Sequence, residues 1–231
     1  MTTDQLETRY SAFYGGRDPV HVYPVEFVVR AFLGNYPRHK PDPSSYSGKR
    51  VLDLGFGDGR NIPLLHNLGM AVFGVEIAQH ICDLTQARMK RLGVEVETRV
   101  GRNSSIPFED RFFDSVLACH ACYYVDPGSR FDDNLAEIAR VLKPGGLFVF
   151  SVPMGTSYIM RGANDLGGGH MQITNDPYGI RNGSILRKFD REAEIEAALS
   201  PVFRGISIGA CRNDFWGVEE HVWIVVCQRA S

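Results

Sequence analysis

The sequence predicts an α/β protein, in which helices cover both faces of a mostly parallel sheet. From about residue 50 onward, short apolar runs alternate with helical patterns, and this alternation is typical of a doubly wound sheet. The run Val51–Leu54 leads directly into three alternating glycines and a helix start, as a buried parallel strand does before a tight turn. Seven apolar runs are present, and the last two have no helix between them. We therefore expect a seven-stranded sheet with an antiparallel edge.

The front of the chain predicts two helices and a linker. In residues 4–14, large apolar side chains recur at spacings near three and four, which is typical of a short amphipathic helix, and residues 15–19 break it. These side chains are Leu6, Tyr10, Phe13 and Tyr14. A second helix is expected over residues 24–35, because its proline suits a first helical turn, and residues 37–48 hold three prolines and three serines. The segment either packs against the core or covers it, and we assign residues 1–47 to a helical lid.

The remainder, residues 48–231, is expected to form one core with an insertion. Strands are expected over residues 50–54, 71–75, 94–100, 115–118, 147–152, 202–208 and 218–226. Helices are expected over residues 60–67, 78–92, 131–142 and 190–199. A turn at Lys143–Gly146 precedes the fifth strand, and residues 154–184 hold seven glycines among polar residues. That composition predicts an irregular insertion, and long loops of this kind are often functional lids.

The composition excludes several classes of protein. With 231 residues, of which 44% are hydrophobic, the chain can bury a sizeable core without disulfide bonds. Its formal net charge of -2, its pI of about 6.4 and the lack of long basic runs indicate no nucleic-acid partner. The first residues lack the basic start and apolar stretch of a signal peptide, and no apolar run is long enough to span a bilayer. We expect a cytoplasmic protein without membrane contact, either a monomer or a homodimer.

The five cysteines are odd in number and scattered along the chain, which indicates a reducing compartment and no disulfide framework. Cys119 and Cys122 have the spacing of a metal or redox pair. A zinc site normally needs a second pair of ligands at similar spacing, and none follows in the sequence. The pair also lies at the end of an expected strand and not at a helix start. No metal site is therefore expected.

The turn after the first expected strand is the candidate ligand site. Glycine occupies every second position of Gly55–Gly59, so Arg60 stands where a dinucleotide fingerprint has its third glycine. No Lys-Ser or Lys-Thr pair follows to make a P-loop. Asp53 lies inside the strand, where a carboxylate is costly to bury unless it accepts hydrogen bonds. It can support the turn or reach a cationic group of a ligand.

Glu76 ends the next expected strand, where an acidic side chain can accept hydrogen bonds from both hydroxyls of a ribose. Taken singly, Glu76 reads as a solvated strand end and Asp53 as a carboxylate of the turn. Two acids flanking a glycine turn whose phosphate cradle is incomplete instead indicate a nucleoside ligand that carries no phosphate.

These features resemble the class I (Rossmann-like) S-adenosylmethionine-dependent methyltransferases, and in particular their small-molecule branch. The resemblance covers about residues 48–152, with several motifs in the family's order. The matching stretches are Val51–Gly59 for the first motif, Glu76 for the ribose-binding acid, Ile106–Asp114 for the Leu-Pro-Phe…Phe-Asp segment, and Leu135–Gly146 for the helix and turn before the fifth strand. The resemblance implies a Rossmann-like fold, S-adenosylmethionine as cofactor and S-adenosylhomocysteine as its product.

The resemblance also implies a set of cofactor-binding residues. They are Asp53, Gly55, Phe56, Gly57, Glu76, Ile77, Asn103, Ser104, Cys119 and His120. One motif departs from the family, which often has Gly-Asp-Ala before the Leu-Pro-Phe segment, with the Asp on the adenine amino group. This chain has Arg102 in place of that Asp, and arginine cannot accept the hydrogen bond. The side-chain oxygen of Asn103 is expected to meet the amine instead, backbone N–H groups of residues 102–104 to meet the ring nitrogens, and Arg102 to stack on the adenine or point to solvent.

Two histidines are candidates for a catalytic base, because a histidine of near-neutral pKa suits proton removal from a hydroxyl or amine. His120 follows the fourth strand and either packs beneath the cofactor or accepts a proton from the substrate. His170 lies in the glycine-rich insertion, where loop histidines are mostly exposed. Tyr14, Tyr123 and Tyr124 either line an acceptor pocket or belong to the core, and we assign them to the pocket.

The expected function is transfer of the cofactor's methyl group to an oxygen or nitrogen of a small molecule. Because the cofactor brings its own leaving group, the protein mainly positions the reactants and excludes water. The family's Asp/Asn-Pro-Pro-Tyr/Phe motif, which is common among its nucleic-acid enzymes, is absent. Two alternatives are a nicotinamide-dependent oxidoreductase, against which the missing third glycine counts, and a catalytically silent module that keeps the cofactor fold.

Overall fold

The computed structural model describes residues 3–16 and 21–231. Its helices are α1 (Thr3–Gly15), α2 (Glu26–Leu33), α3 (Ile62–Asn67), α4 (Gln79–Arg91), α5 (Phe131–Val141) and α6 (Glu192–Leu199). Its strands are β1 (Arg50–Leu54), β2 (Ala71–Glu76), β3 (Glu97–Val100), β4 (Phe113–Ala118), β5 (Tyr124–Val125), β6 (Leu142–Pro153), β7 (Asn164–Asp165), β8 (His170–Gln172), β9 (Ile185–Arg187), β10 (Phe203–Phe215) and β11 (Val218–Arg229). Most of the break expected at residues 15–19, and the first two residues of the expected lid, lie outside the described residues. Within the described ranges no helix combines the length and the apolar character that crossing a membrane requires.

The predicted fold class is confirmed. Seven strands form one sheet in the order β10-β11-β6-β4-β1-β2-β3. β1 pairs in parallel with both β2 and β4, whereas β11 runs antiparallel to both β6 and β10 at the edge. The strand order reverses at β1, and in doubly wound sheets ligands bind beyond the carboxyl ends of the strands at such a reversal.

The side chains of β1 beyond its first residue are buried on both faces of the sheet, as expected for a central strand. Val51, Leu52 and Leu54 have no more than 1% of their surface exposed, because helices cover both faces of a parallel sheet. α5 is amphipathic and buries Phe131, Leu135 and Ile138 against one face. β1 has apolar residues at successive positions because both faces of the strand are buried.

The insertion at residues 154–184 is more regular than predicted. It contains β7 and β8, which join β9 and β5 in a second, antiparallel sheet of order β5-β9-β8-β7. Met171 of β8 pairs with Leu186 of β9, and both side chains are buried. The glycines at Gly167–Gly169 all have positive φ and form the turn between β7 and β8, which is a conformation that glycine adopts without strain. A glycine-rich stretch that predicts an irregular loop is thus a hairpin turn between very short strands.

Two further boundaries differ from the prediction. The expected turn at Lys143–Gly146 lies inside β6, where the register with β4 shifts from Phe113↔Leu142 to Ser115↔Leu147, so the extra residues form a bulge. β10 and β11 continue well past the expected strand ends as a hairpin. Trp216 at its tip has 97% of its surface exposed.

We predict that Phe113→Ala lowers the free energy of unfolding by about 3–5 kcal/mol, as expected for a buried Phe that leaves a cavity. Phe113 is fully buried, and its ring centroid lies 5.5, 5.0 and 4.9 Å from those of Phe73, Phe108 and Phe112. The matched control is Phe215→Ala in the exposed hairpin, which should change stability by no more than about 0.5 kcal/mol. Urea unfolding measures both, and equal losses in the two variants would contradict the assignment of this cluster to the core.

Candidate functional site

A cavity of about 290 Å³ lies at the carboxyl ends of β1, β2 and β4. The glycine turn, Glu76 and His120 line it on the side of the large sheet. α1 contributes Tyr10 and Tyr14, and the segments after residue 152 contribute a further wall. That wall consists of Pro153, Ser157, Tyr158, Ile159, Ile180, Arg181, Glu220 and Val222. The cavity is therefore enclosed by parts of the chain that are far apart in sequence.

The carboxylate of Glu76 holds the glycine turn in place. Its Oε1 accepts a hydrogen bond from the backbone N–H of Gly57 at 3.0 Å, and its Oε2 accepts one from the N–H of Ile77 at 2.8 Å. Burial raises the pKa of Glu76, and these two hydrogen bonds oppose that rise. Each carboxylate oxygen can accept a further hydrogen bond, so Glu76 can still receive hydroxyl donors from a ligand.

Asp53 is a buried carboxylate without a partner. No surface of Asp53 is exposed, and neither of its oxygens makes a hydrogen bond within the described part of the chain. Burial raises the pKa of Asp53 to about 8, and the nearby carboxylates of Glu76 and Asp58 contribute to that rise. A positive charge near the turn would favour the ionised form of Asp53. Asp53 itself does not line the cavity, so a cation bound there would act on it by charge through the turn and not by direct contact.

The turn packs closely against its surroundings. A Cβ atom at Gly55 would lie 2.5 Å from Cβ of Ala121, and one at Gly57 would lie 2.4 Å from Oη of Tyr14. Both glycines have positive φ. A residue with a side chain is therefore disfavoured at both positions, because of the positive φ and because of the lack of space. Tyr14 of α1 lies directly against the turn. Phe56 between them lines the cavity and is buried.

The loop after β3 is held by hydrogen bonds on its polar side chains. Nδ2 of Asn103 donates to the carbonyl oxygens of Ala121 and Tyr124 at 2.9 and 3.1 Å. Since two carbonyl partners fix the NH₂ group on that side, the Oδ1 atom is the acceptor that remains for a ligand. Oγ of Ser104 donates to Oδ2 of Asp126 at 2.9 Å, and Ser104 does not line the cavity, whereas Asn103 does.

Arg102 bridges two acids, an arrangement that neither sequence expectation includes. Its Nη1 lies 2.8 Å from Oδ1 of Asp126, and its Nη2 lies 2.8 Å from Oε1 of Glu7 in α1. The guanidinium therefore ties α1 to the loop that holds Asn103. Because Arg102 carries no acceptor, it stabilises the wall here by charge and not by recognition of an amine.

His120 is strained and well oriented. Its φ is +55°, a region that residues with a Cβ seldom adopt. Oγ of Ser151 accepts the backbone N–H of His120 at 3.0 Å and lies 3.3 Å from Nδ1, while Nε2 lies 3.8 Å from Oε1 of Glu220. Burial lowers the pKa of His120; Glu220 opposes this fall, and Arg181 and Arg60 add to it. The imidazole is therefore neutral near pH 7 and can accept a proton.

The remaining predicted residues divide into two groups. Ile77, Cys119, Tyr123 and Tyr124 line the cavity, and Oη of Tyr124 accepts from Tyr10 at 2.7 Å and from Nε of Arg181 at 3.0 Å. Burial raises the pKa of Cys119, which keeps it a thiol. His170 lies in β8 opposite Arg187 and does not line the cavity, so the structure does not bring it to His120.

Many residues of the cavity are absent from the sequence-based site. Tyr10, Tyr158, Arg181 and Glu220 are among them. The spacing of Tyr10 predicts only a packed helix face, and the other three come from elements that no motif connects to the glycine turn. Among the described residues, no group of three His, Cys, Asp or Glu side chains is placed to hold a metal ion.

Comparison with known proteins shows a similarity over part of the chain. Residues 52–150 match the family model described as a methyltransferase domain. This segment is therefore similar to methyltransferase domains. The matched segment contains the glycine turn, Glu76, Asn103 and His120. It ends before the wall formed by the residues after 152.

Curated relatives are similar to part of the chain, and solved structures share its fold. The chain is 30% identical over 123 residues to an uncharacterized methyltransferase of Mycobacterium bovis, covering 52% of this chain and 47% of that protein. It is 34% identical over 103 residues to a demethylmenaquinone methyltransferase of Tropheryma whipplei, covering 45% of this chain and 41% of that protein. A SAM-dependent methyltransferase structure from Methanosarcina mazei shares the fold at a TM-score of 0.66 and 19% identity, over 90% of this chain and 99% of that one. The chain thus spans less than half the length of these two curated relatives.

We predict that Asp53 makes the ligand-free protein less stable as the pH rises from about 4 to about 8. Its folded-state pKa is raised to about 8, so in that window the folded state binds the proton that the unfolded state has lost. The free energy of unfolding then falls by at most about 1.4 kcal/mol per pH unit on this account. Asp53→Asn cannot ionise and should lose that slope. Urea unfolding of both proteins between pH 5 and 8 measures the difference, and parallel curves would contradict the assignment.

Proposed function

We propose that the protein is a methyltransferase that transfers the methyl group of S-adenosylmethionine to an oxygen or nitrogen of a small molecule. The observation that carries this proposal is the buried, partnerless carboxylate of Asp53 beside a glycine turn that Glu76 already holds. In the ligand-free protein the raised pKa keeps this group protonated near neutral pH, and a cation bound nearby would favour its ionised form. The position of this arrangement within the matched domain supports the same cofactor.

The residues present fit this cofactor. Glu76 has lone pairs left for the ribose hydroxyls, Oδ1 of Asn103 is an acceptor for the adenine amine, and Asp53 would balance the cofactor's positive charge. When bound, S-adenosylmethionine supplies an electrophilic methyl group on a sulfonium centre that is its own leaving group. The protein then has to position the acceptor and exclude water.

His120 is assigned as the base that takes the acceptor's proton. The Oγ of Ser151 can accept both the backbone N–H and Nδ1–H of His120, which leaves Nε2 free to receive the proton. The carboxylate of Glu220, 3.8 Å from Nε2, stabilises the imidazolium that forms. The acceptor's oxygen or nitrogen would gain the methyl group as the methyl–sulfur bond breaks, with that bond's electron pair kept by sulfur, and the acceptor's proton would move to Nε2.

The lid and insertion are assigned to the exclusion of water. Tyr10 and Tyr14 of α1 line the cavity, which supports residues 1–47 as a lid over a core of residues 48–231. Tyr14, Tyr123 and Tyr124 are assigned to the acceptor pocket. A small acceptor is favoured because α1 and the insertion enclose the cavity from two sides. Nothing at the turn favours the nicotinamide alternative, since Arg60 is paired with Asp58 at 2.6 Å.

We predict that Glu76→Ala weakens binding of S-adenosylhomocysteine by about 1–3 kcal/mol, the cost of losing hydrogen bonds to a charged group. Glu76→Gln keeps one acceptor oxygen and should lose less. The control is Glu196→Ala, an exposed acid of α6 that does not line the cavity, and it should bind like the wild type. Titration calorimetry measures all four proteins, and no binding by the wild type at micromolar concentration would overturn the proposed function.

We predict that His120→Asn lowers the rate of methyl transfer by about 10²–10⁴-fold, the usual contribution of a positioned base. Asparagine tolerates the positive φ of this position better than most residues. The assay follows tritium from methyl-labelled S-adenosylmethionine into a panel of small hydroxyl and amine compounds between pH 5 and 9. With the wild type, the rate should rise with pH along a single titration whose midpoint lies below that of an ordinary histidine, because the pKa of His120 is lowered.

Two results would count against these assignments. An unchanged rate in the Asn variant would remove His120 as the base. Tight binding of the cofactor by the wild type without transfer to any compound would favour the catalytically silent module.

A further inference from the structure

Among the described residues, three arginines line the cavity, and they differ in how their charge is balanced. Arg60 is paired with Asp58 through Nε at 2.9 Å and Nη2 at 2.6 Å. Arg102 is shared between two carboxylates, each at 2.8 Å. The guanidinium groups of Arg60 and Arg102 are therefore neutralised by carboxylates of the protein.

Arg181 has a much weaker counter-ion. Its Nη1 lies 3.3 and 3.5 Å from the two carboxylate oxygens of Asp176, its Nε donates to Tyr124, and its Nη2 makes no hydrogen bond in the described part of the chain. Its side chain is only 22% exposed. A guanidinium in this setting has donors and charge available for a ligand in the cavity.

Asp176 is shared between the guanidinium of Arg181 and the backbone of its own turn. The carboxylate accepts N–H hydrogen bonds from Tyr178, Ile180 and Arg181 at 3.2, 3.1 and 2.9 Å. Hydrogen bonds of this kind stabilise a buried carboxylate by themselves. Asp176 thus shapes the turn that presents Arg181 and contacts only Nη1 of its side chain, so Nη2 is left as a donor for a ligand.

Arg181 lies outside the matched segment, although Tyr124 beside it lies within it. The rings of Tyr124 and Tyr158 line the cavity, and Glu220 lies next to His120. The cofactor side of the cavity carries carboxylates, whereas the wall after residue 152 carries the guanidinium of Arg181 and one acid that faces the imidazole. The wall therefore offers an anion site and a proton-accepting site at different places.

We propose that the methyl acceptor is a small organic acid whose carboxylate pairs with Arg181 and whose separate hydroxyl or amine faces His120. This inference rests on the proposed function of the same site. A planar guanidinium matches a carboxylate through two parallel N–H donors. An uncharged analogue would leave buried donors unsatisfied, which is the usual source of strong discrimination by a polar pocket.

The test is calorimetric binding of matched acids and amides to the protein saturated with S-adenosylhomocysteine. The probes are 4-hydroxybenzoate and 4-aminobenzoate, each with its primary amide. With the wild type, at least one acid should bind about 10- to 100-fold more tightly than its amide, the range for a charge-assisted hydrogen bond. Arg181→Met should bind acid and amide alike, and Arg181→Lys should keep part of the preference.

The control variant is Arg38→Met, which removes an exposed arginine paired only at 3.6 Å with Glu192 and should keep the wild-type preference. S-adenosylhomocysteine titration of every variant reports an intact fold and cofactor site. If the wild type fails to bind it, the proposed function fails. If it binds and no acid is preferred over its amide, or if Arg181→Met keeps the preference, the acid-acceptor inference alone is overturned. If Arg181→Met does not fold, the wild-type and Arg181→Lys titrations decide.

Discussion

The two hydrogen bonds to Glu76 are the constraint on which the rest of the site depends. The bond from Gly57 joins the turn after β1 to the end of β2, which are neighbouring parallel strands. The bond from Ile77 fixes the carboxylate against the residue that follows it. Burial of the carboxylate opposes this arrangement, and charge-assisted hydrogen bonds offset part of that cost. The result is a turn whose backbone N–H groups are already fixed, so a ligand need not order them on binding.

A second network connects this turn to the parts of the chain that cover it. Arg102 joins the loop after β3 to Glu7 of α1, and Tyr10 of α1 donates to Tyr124, which also accepts from Arg181. α1, the loop and the insertion therefore share one set of polar contacts around the cavity. Displacement of α1 would break contacts with both sides of the cavity at once.

The sequence predicts β1 to the residue, because an apolar run buried on both faces leaves a local signal. It also predicts most of the residues on the cofactor side of the cavity, since they follow strands in short motifs. The second sheet is not predicted, because β7 and β8 are two and three residues long and lie beside glycines. Arg181 and Glu220 are not predicted either, since only tertiary packing brings them to the cavity beside His120. His170 is predicted from its residue type, but the fold does not bring it to the cavity.

The wall that carries Arg181 and Glu220 lies beyond residue 152, whereas the matched domain ends at residue 150. The two halves of the cavity are thus encoded in successive stretches of the chain and meet only in the folded protein. Changes in the insertion or in β11 can reshape one half while leaving Glu76 and its turn untouched. Selectivity for the bound small molecule can therefore change by substitution in the wall after residue 152, while the residues of the glycine turn stay the same.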